Sequence, residues 1–119
     1  MADSSRLYTS DKLSSSLINC VTQDKYGFMW IGTEYGLSKF DGYRFTNYLH
    51  NSKDTTSIAD NIISSFLVDR KGRLWIGCAK GLMRYNSTSD NFVQYHFPDG
   101  RKPRIYDMIE SRNGDILMG

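Results

Sequence analysis

Asp24-Lys25-Tyr26-Gly27-Phe28-Met29-Trp30-Ile31-Gly32 decides the fold, because the chain carries a near copy of it at Asp69-Arg70-Lys71-Gly72-Arg73-Leu74-Trp75-Ile76-Gly77. The offset of 45 residues holds on both sides of the stretch: Ile18 answers to Ile63, and Gly36-Leu37 to Gly81-Leu82. Past Tyr85 the offset becomes 47, as Phe45 meets Phe92 and Tyr48 meets Tyr95. The extra residues fall in the polar run 86–91, a surface turn where insertions are tolerated. A third copy starts at Ile105 and runs through Gly114-Asp115-Ile116-Leu117-Met118-Gly119, without the Asp before the turn or the Trp after it.

A period of this length belongs to solenoids or propellers. Helical repeats need long stretches of 3.6-residue periodicity, and the sequence has none. Each unit instead holds four short runs rich in β-branched and aromatic residues, in the first unit 17–23, 28–33, 37–40 and 43–48. Asp24-Lys25-Tyr26-Gly27 and Asp41-Gly42 supply the reversals between them. Four antiparallel strands per unit make a propeller blade. The expected fold is all-β, a β-propeller fragment of two four-stranded antiparallel blades plus the first half of a third. The boundaries follow: 1–13 a lead-in, the closing strand of a parent propeller; 14–56 blade 1; 57–102 blade 2; 103–119 a partial blade 3.

The repeated residues read as parts of this architecture. Trp30 and Trp75 are placed to fill the space between neighbouring blades, and Gly32 and Gly77 in the same strands mark close backbone approach. Asp24 and Asp69 accept backbone hydrogen bonds within their turns. Gly27, Gly72, Gly36 and Gly81 sit at the reversals, where positive φ is needed. A feature recurring at one place in every unit is what builds the unit rather than a catalytic group.

Composition excludes several functions. A net charge of +2 is too small to argue for nucleic acid or an anionic membrane. No run approaches the roughly 18 apolar residues that would span a bilayer, and the polar start, residues 1–11, has no apolar signal core. Cys20 and Cys78 are too few and too far apart for a disulfide framework or a zinc site. They fall in neighbouring units, so a bridge between them is geometrically conceivable, while a small buried hydrophobe is the usual role of such a cysteine. Neither a catalytic triad, a metal-ligand spacing nor a phosphate loop is found, so no cofactor, metal or catalytic residue is expected.

The run from Asp24 to Thr33, with Trp30-Ile31-Gly32-Thr33 and then Gly36-Leu37, Phe40 and Asp41-Gly42, resembles the two-component regulator propeller repeat. The second unit keeps Asp69, Gly72, Trp75-Ile76-Gly77 and Gly81-Leu82 but has Cys78 for Thr and Asn86-Ser87 for Asp-Gly. The resemblance covers about residues 14–119 and implies the sensor propeller of a hybrid two-component histidine kinase. Such sensors lie in the periplasm ahead of a membrane helix and a cytoplasmic kinase, and many respond to oligosaccharides for the regulation of polysaccharide use. Nothing of the kinase is expected in this stretch, which would bind rather than phosphorylate.

Function rides on loops held by a rigid scaffold, so if a ligand binds, the loops at the channel mouth are the expected place. The connections between second and third strands offer Glu34 and Tyr35, and Ala79 and Lys80; the link between units offers Asp60 and Asn61. Tyr35 can stack on a sugar ring while Glu34, Lys80 and Asn61 hydrogen-bond hydroxyls; the competing reading is a set of solvated loop residues. Further partners are the other blades of the same parent chain and, because fewer than three blades leave bare end faces, further copies of the chain itself. Nucleic acid and direct membrane contact are not expected. Two other functions compete: a stand-alone carbohydrate-binding module assembled from several chains, and a propeller enzyme whose catalytic residues lie in other blades. The stop at Gly119, inside a strand, favours the sensor fragment over the stand-alone module.

Overall fold

A computed structural model describes residues 7–10 and 13–119, so residues 1–6 and 11–12 of the lead-in lie outside the described residues. The elements are strands, arranged in three antiparallel sheets. The first unit forms β2 (Ile18–Gln23), β3 (Met29–Thr33), β4 (Gly36–Phe40) and β5 (Phe45–Tyr48). The second forms β6 (Ile63–Val68), β7 (Leu74–Cys78), β8 (Gly81–Asn86) and β9 (Asn91–Tyr95). Both are meanders, each strand pairing with the next in sequence. The third unit contributes β10 (Met108–Glu110) and β11 (Ile116–Met118), a two-stranded sheet.

Leu7–Ser10 of the lead-in forms β1. The sequence assigns this segment to the last blade of a parent ring; in this chain it pairs antiparallel with β5, from Leu7 opposite Tyr48 to Ser10 opposite Phe45. The first sheet thus has five strands, and β1 covers an outer edge that otherwise presents bare N–H and C=O groups.

The 45-residue offset reappears in the ladders. Cys20 pairs with Gly32 as Ser65 pairs with Gly77, and a bulge interrupts the same place in both units, between Ile18 and Cys20 and between Ile63 and Ser65. The turn before the second strand is likewise duplicated. Asp24 Oδ1 accepts from the amides of Tyr26 and Phe28, and Asp69 Oδ1 from those of Lys71 and Arg73. The chain then reverses at Gly27 and Gly72, whose φ values of 92° and 80° suit glycine.

The sheets pack face to face around two apolar clusters. The larger joins Trp30, Leu37 and Tyr48 of the first sheet to Ile63, Ile76 and Phe92 of the second. The smaller gathers Leu82, Ile105 and Met108, with Trp75 and Ile116 against them, between the second sheet and the third. Trp30 is fully buried, as expected of an indole between blades. Trp75, its counterpart, is only partly covered, since the third sheet has two strands.

Glycine sets the approach of the sheets. A Cβ on Gly32 would lie 2.5 Å from both Cys20 Sγ and Ile63 Cγ2, and one on Gly77 would run into Ser65 Oγ and Ile105. Ile63 of the second unit and Ile105 of the third therefore each sit in the hole left by a glycine of the unit before. Cys20 and Cys78 are free thiols. Burial pushes both up to about 11, so they remain protonated and serve as packing groups.

Candidate functional site

The five residues singled out from the sequence come to one end of the sheets. Glu34 and Tyr35 form the two-residue turn between β3 and β4, where Thr33 pairs with Gly36. Its backbone is fixed from inside, since the Tyr35 amide donates to Thr33 Oγ1 at 3.0 Å and Thr33 Oγ1 to the Gly36 carbonyl at 2.7 Å. Lys80 occupies the same turn in the second unit, between Cys78 and Gly81. Asp60 and Asn61 lie in the link that leads into β6.

Backbone bonds lock the link against both turns. The Gly36 amide donates to the Asn61 carbonyl at 2.6 Å, and the Ala79 amide to the Ile62 carbonyl at 3.0 Å. The side chains then form two groups. In one, Lys80 Nζ faces Asp60 Oδ2 at 3.9 Å while Asp60 Oδ1 accepts from the Ile62 amide at 2.9 Å. In the other, Glu34 accepts from Asn19 Nδ2, which also donates to the Ile63 carbonyl at 2.8 Å. Asn61 Oδ1 accepts from the His50 amide at 2.7 Å. The Tyr35 ring is 57% exposed and available for stacking.

Asn19 is the member of this set that the sequence reading lacks. Its signal is an amide inside a run of strand formers, Ile18-Asn19-Cys20-Val21, on the innermost strand of the unit. The end of the sheets thus presents two carboxylates, an ammonium, carboxamides and an aromatic face, a donor and acceptor set suited to hydroxyl-bearing ligands. No nucleophile with an activating base stands among these residues. Among the described residues there is also no group of three or more His, Cys, Asp or Glu able to hold a metal ion.

The repeat residues meet on the opposite side of the molecule, where the aspartates do more than cap turns. Trp30 Nε1 donates to Asp24 Oδ2 at 2.8 Å, and Trp75 Nε1 to Asp69 Oδ2 at 3.0 Å. Each carboxylate holds its turn with one oxygen and its blade-filling indole with the other. Burial by itself raises the Asp69 carboxyl; the bonds from Trp75 and from the Arg73 amide and guanidinium together outweigh it and hold the group at about 2.

These are the features of a propeller repeat built on an Asp–Trp pair. The model of the two-component regulator propeller matches residues 12–35 and 57–80, and the chain carries two copies of that repeat. Over 49 residues it is 49% identical to Histidine kinase P4 of Formosa agariphila, a match covering 41% of this chain and 4% of that protein. Among solved structures it resembles the extracellular domain of a protein described as a hybrid two-component system of B. thetaiotaomicron. The TM-score is 0.78 at 29% identity, over 91% of this chain and 16% of that one. Virginiamycin B lyase of Staphylococcus aureus shares the fold alone, with a TM-score of 0.64 at 18% identity over 95% of this chain and 38% of the lyase. The chain therefore spans a small part of the relatives it matches, and what it resembles among them is a sensor propeller.

Proposed function

We propose that this chain is part of the periplasmic sensor propeller of a hybrid two-component histidine kinase, and that the end carrying Glu34, Tyr35, Asp60, Asn61 and Lys80 takes an oligosaccharide. In this reading 14–56 and 57–102 are whole blades, 103–119 opens a third, and 1–13 serves ring closure in the parent. The segment binds and relays, and phosphoryl transfer belongs to other parts of the parent protein. The observation that carries the reading is the match over 91% of the chain to an extracellular two-component domain. The clustering of an exposed tyrosine with carboxylates and a lysine on one rim supports the choice of ligand.

The test is an NMR titration of the chain with neutral and acidic oligosaccharides. Saturable shifts at residues 34–35, 60–61 and 79–80 are expected, weakened about tenfold by Tyr35→Ala or Lys80→Ala. Shifts confined to other surfaces, or none with any saccharide, would remove the proposed site.

A further inference from the structure

What recurs at equivalent places builds the units, and at the rim the third unit departs from it. At the entry to the innermost strand a short acceptor caps the amide two residues on. Ser15 Oγ accepts from the Leu17 amide at 3.1 Å, and Asp60 Oδ1 from the Ile62 amide at 2.9 Å. Lys102 stands in that place in the third unit, and an ammonium has no acceptor to offer. Just after the leading isoleucine, Asn19 and Ser64 donate to the carbonyls of Ile63 and Ile105 in the next unit. Tyr106 stands there instead, its ring 68% exposed and 5.3 Å from the Arg104 guanidinium. In the turn between second and third strands, Ala79 and Lys80 replace Glu34 and Tyr35.

These departures share one corner. A Cβ on Gly81 would lie 4.0 Å from Lys102 Cα, and the Ile105 amide donates to the Cys78 carbonyl at 3.1 Å, so segment 102–104 runs beside the 79–80 turn. The rim is therefore acidic between the first and second units, at Glu34 and Asp60, and basic between the second and third, at Lys80, Lys102 and Arg104. The nearby carboxylates do not neutralise the basic corner. Asp60 reaches Lys80 only at 3.9 Å, Asp99 is engaged by Arg101, and Asp107 accepts from the Met108 amide. A neighbouring whole unit leaves these places open: between the first two units Asn19 is exposed, and Asp60 and Asn61 are partly so.

We infer that this corner takes the anionic group of an acidic saccharide, a uronate carboxylate or a sulfate ester, with the Tyr106 ring against the sugar. The inference rests on the rim reading above and narrows its ligand class. Lysine and arginine give charge-assisted hydrogen bonds to such a group, and an exposed tyrosine offers an apolar face beside a polar tip. The acidic stretch at Glu34 and Asp60 sets the direction. It repels the anionic group and accepts from neutral hydroxyls, so the saccharide lies one way round, with its charge over Lys80, Lys102 and Arg104.

NMR titration of the 119-residue chain with three tetrasaccharides tests it: a uronate, a sulfated galactan and a neutral glucan. At least one acidic probe is expected to bind about tenfold more tightly than the neutral one, with shifts at residues 80 and 102–106. The uronate and sulfate arms then tell which anionic group is preferred. Lys102→Ala and Arg104→Ala, both at exposed positions, should each weaken the acidic probe about tenfold and leave the neutral one unchanged. Tyr106→Ala should weaken the acidic saccharide but not free sulfate ion, which separates sugar recognition from attraction of any anion. Arg112→Ala, at the turn on the other end of the sheets, should change nothing. Equal affinity for neutral and acidic probes, acidic binding without shifts at 102–106, or equal losses from Arg112→Ala would overturn the inference while leaving the rim as a saccharide site. Absence of binding by all three probes would remove both.

Discussion

At the scale of single residues, the Asp of the repeat does two jobs, and the sequence shows one of them. A short carboxylate with Gly three residues on, just before a strand run, is readable as a turn cap. That its second oxygen takes the indole N–H six residues on depends on strand pairing and side-chain rotamer, which no local pattern specifies. The pairing has a consequence for pH. Asp69 has a folded value of about 2 against an ordinary carboxylate value near 3.9, so its contribution is complete above about pH 5 and disappears as pH falls through 2. The size is about 2 kcal/mol for a carboxylate with no exposed surface. Urea unfolding at stepped pH should therefore show wild type losing about 2 kcal/mol more than Asp69→Asn between pH 5 and 2. Equal losses would mean that the carboxylate is not held by these bonds.

Between elements, the strand positions were legible and the ties across units were not. The runs 17–23, 28–33, 37–40 and 43–48 match β2 to β5 within two residues, because alternation and glycine punctuation are local signals. The tie that binds β4 and β5 to the second sheet comes from the insertion after Tyr85, which the repeat comparison marks only as a polar turn. There Asp90, at a φ of 53°, accepts from the hydroxyls of both Tyr48 and Tyr85 at 2.6 Å, with Lys39 Nζ 3.6 Å away. Burial first, and then the bond to Asp90, raises both phenols far above the usual tyrosine range, so each remains a donor. Lys39 also lies 5.6 Å from the centre of the Trp30 ring, linking this cluster to the core. Asp90→Asn keeps an acceptor and tolerates the left-handed backbone, and should cost under about 1 kcal/mol. Asp90→Ala removes the acceptor of the buried Tyr48 and the half-buried Tyr85 and leaves alanine in the left-handed region, and should cost about 2 kcal/mol. Chemical denaturation distinguishes the two, and equal costs would mean that the hydroxyl pair is not what holds the sheets.

For the whole molecule, the repeat predicts equivalent units, and the structure makes them unequal in how well they are held. The five end-of-sheet residues could be placed together from the sequence because the turns between second and third strands share one rim in any such meander. How they group, with Asn19 and Glu34 apart from Lys80 and Asp60, follows from the inter-unit register and was not legible. The same register makes stability a chain of neighbour contacts. Trp30, Tyr48, Ile63 and Ile76 tie the first two sheets through the larger core, whereas the third hangs on Leu82, Ile105 and Met108 and lacks its own Asp–Trp pair. A unit held by the smaller core should open by itself, below the free energy of global unfolding. Ile105→Ala removes the group seated over Gly77 and costs about 3 kcal/mol, most of it in that local opening. Hydrogen exchange should then show amides of β10 and β11 losing protection while those of β3 and β4 change little. Ile76→Ala, at the larger core, should instead release strands of the first and second sheets together. If Ile105→Ala lowered protection equally in all three sheets, the chain would be one cooperative unit and the neighbour-by-neighbour account would fail.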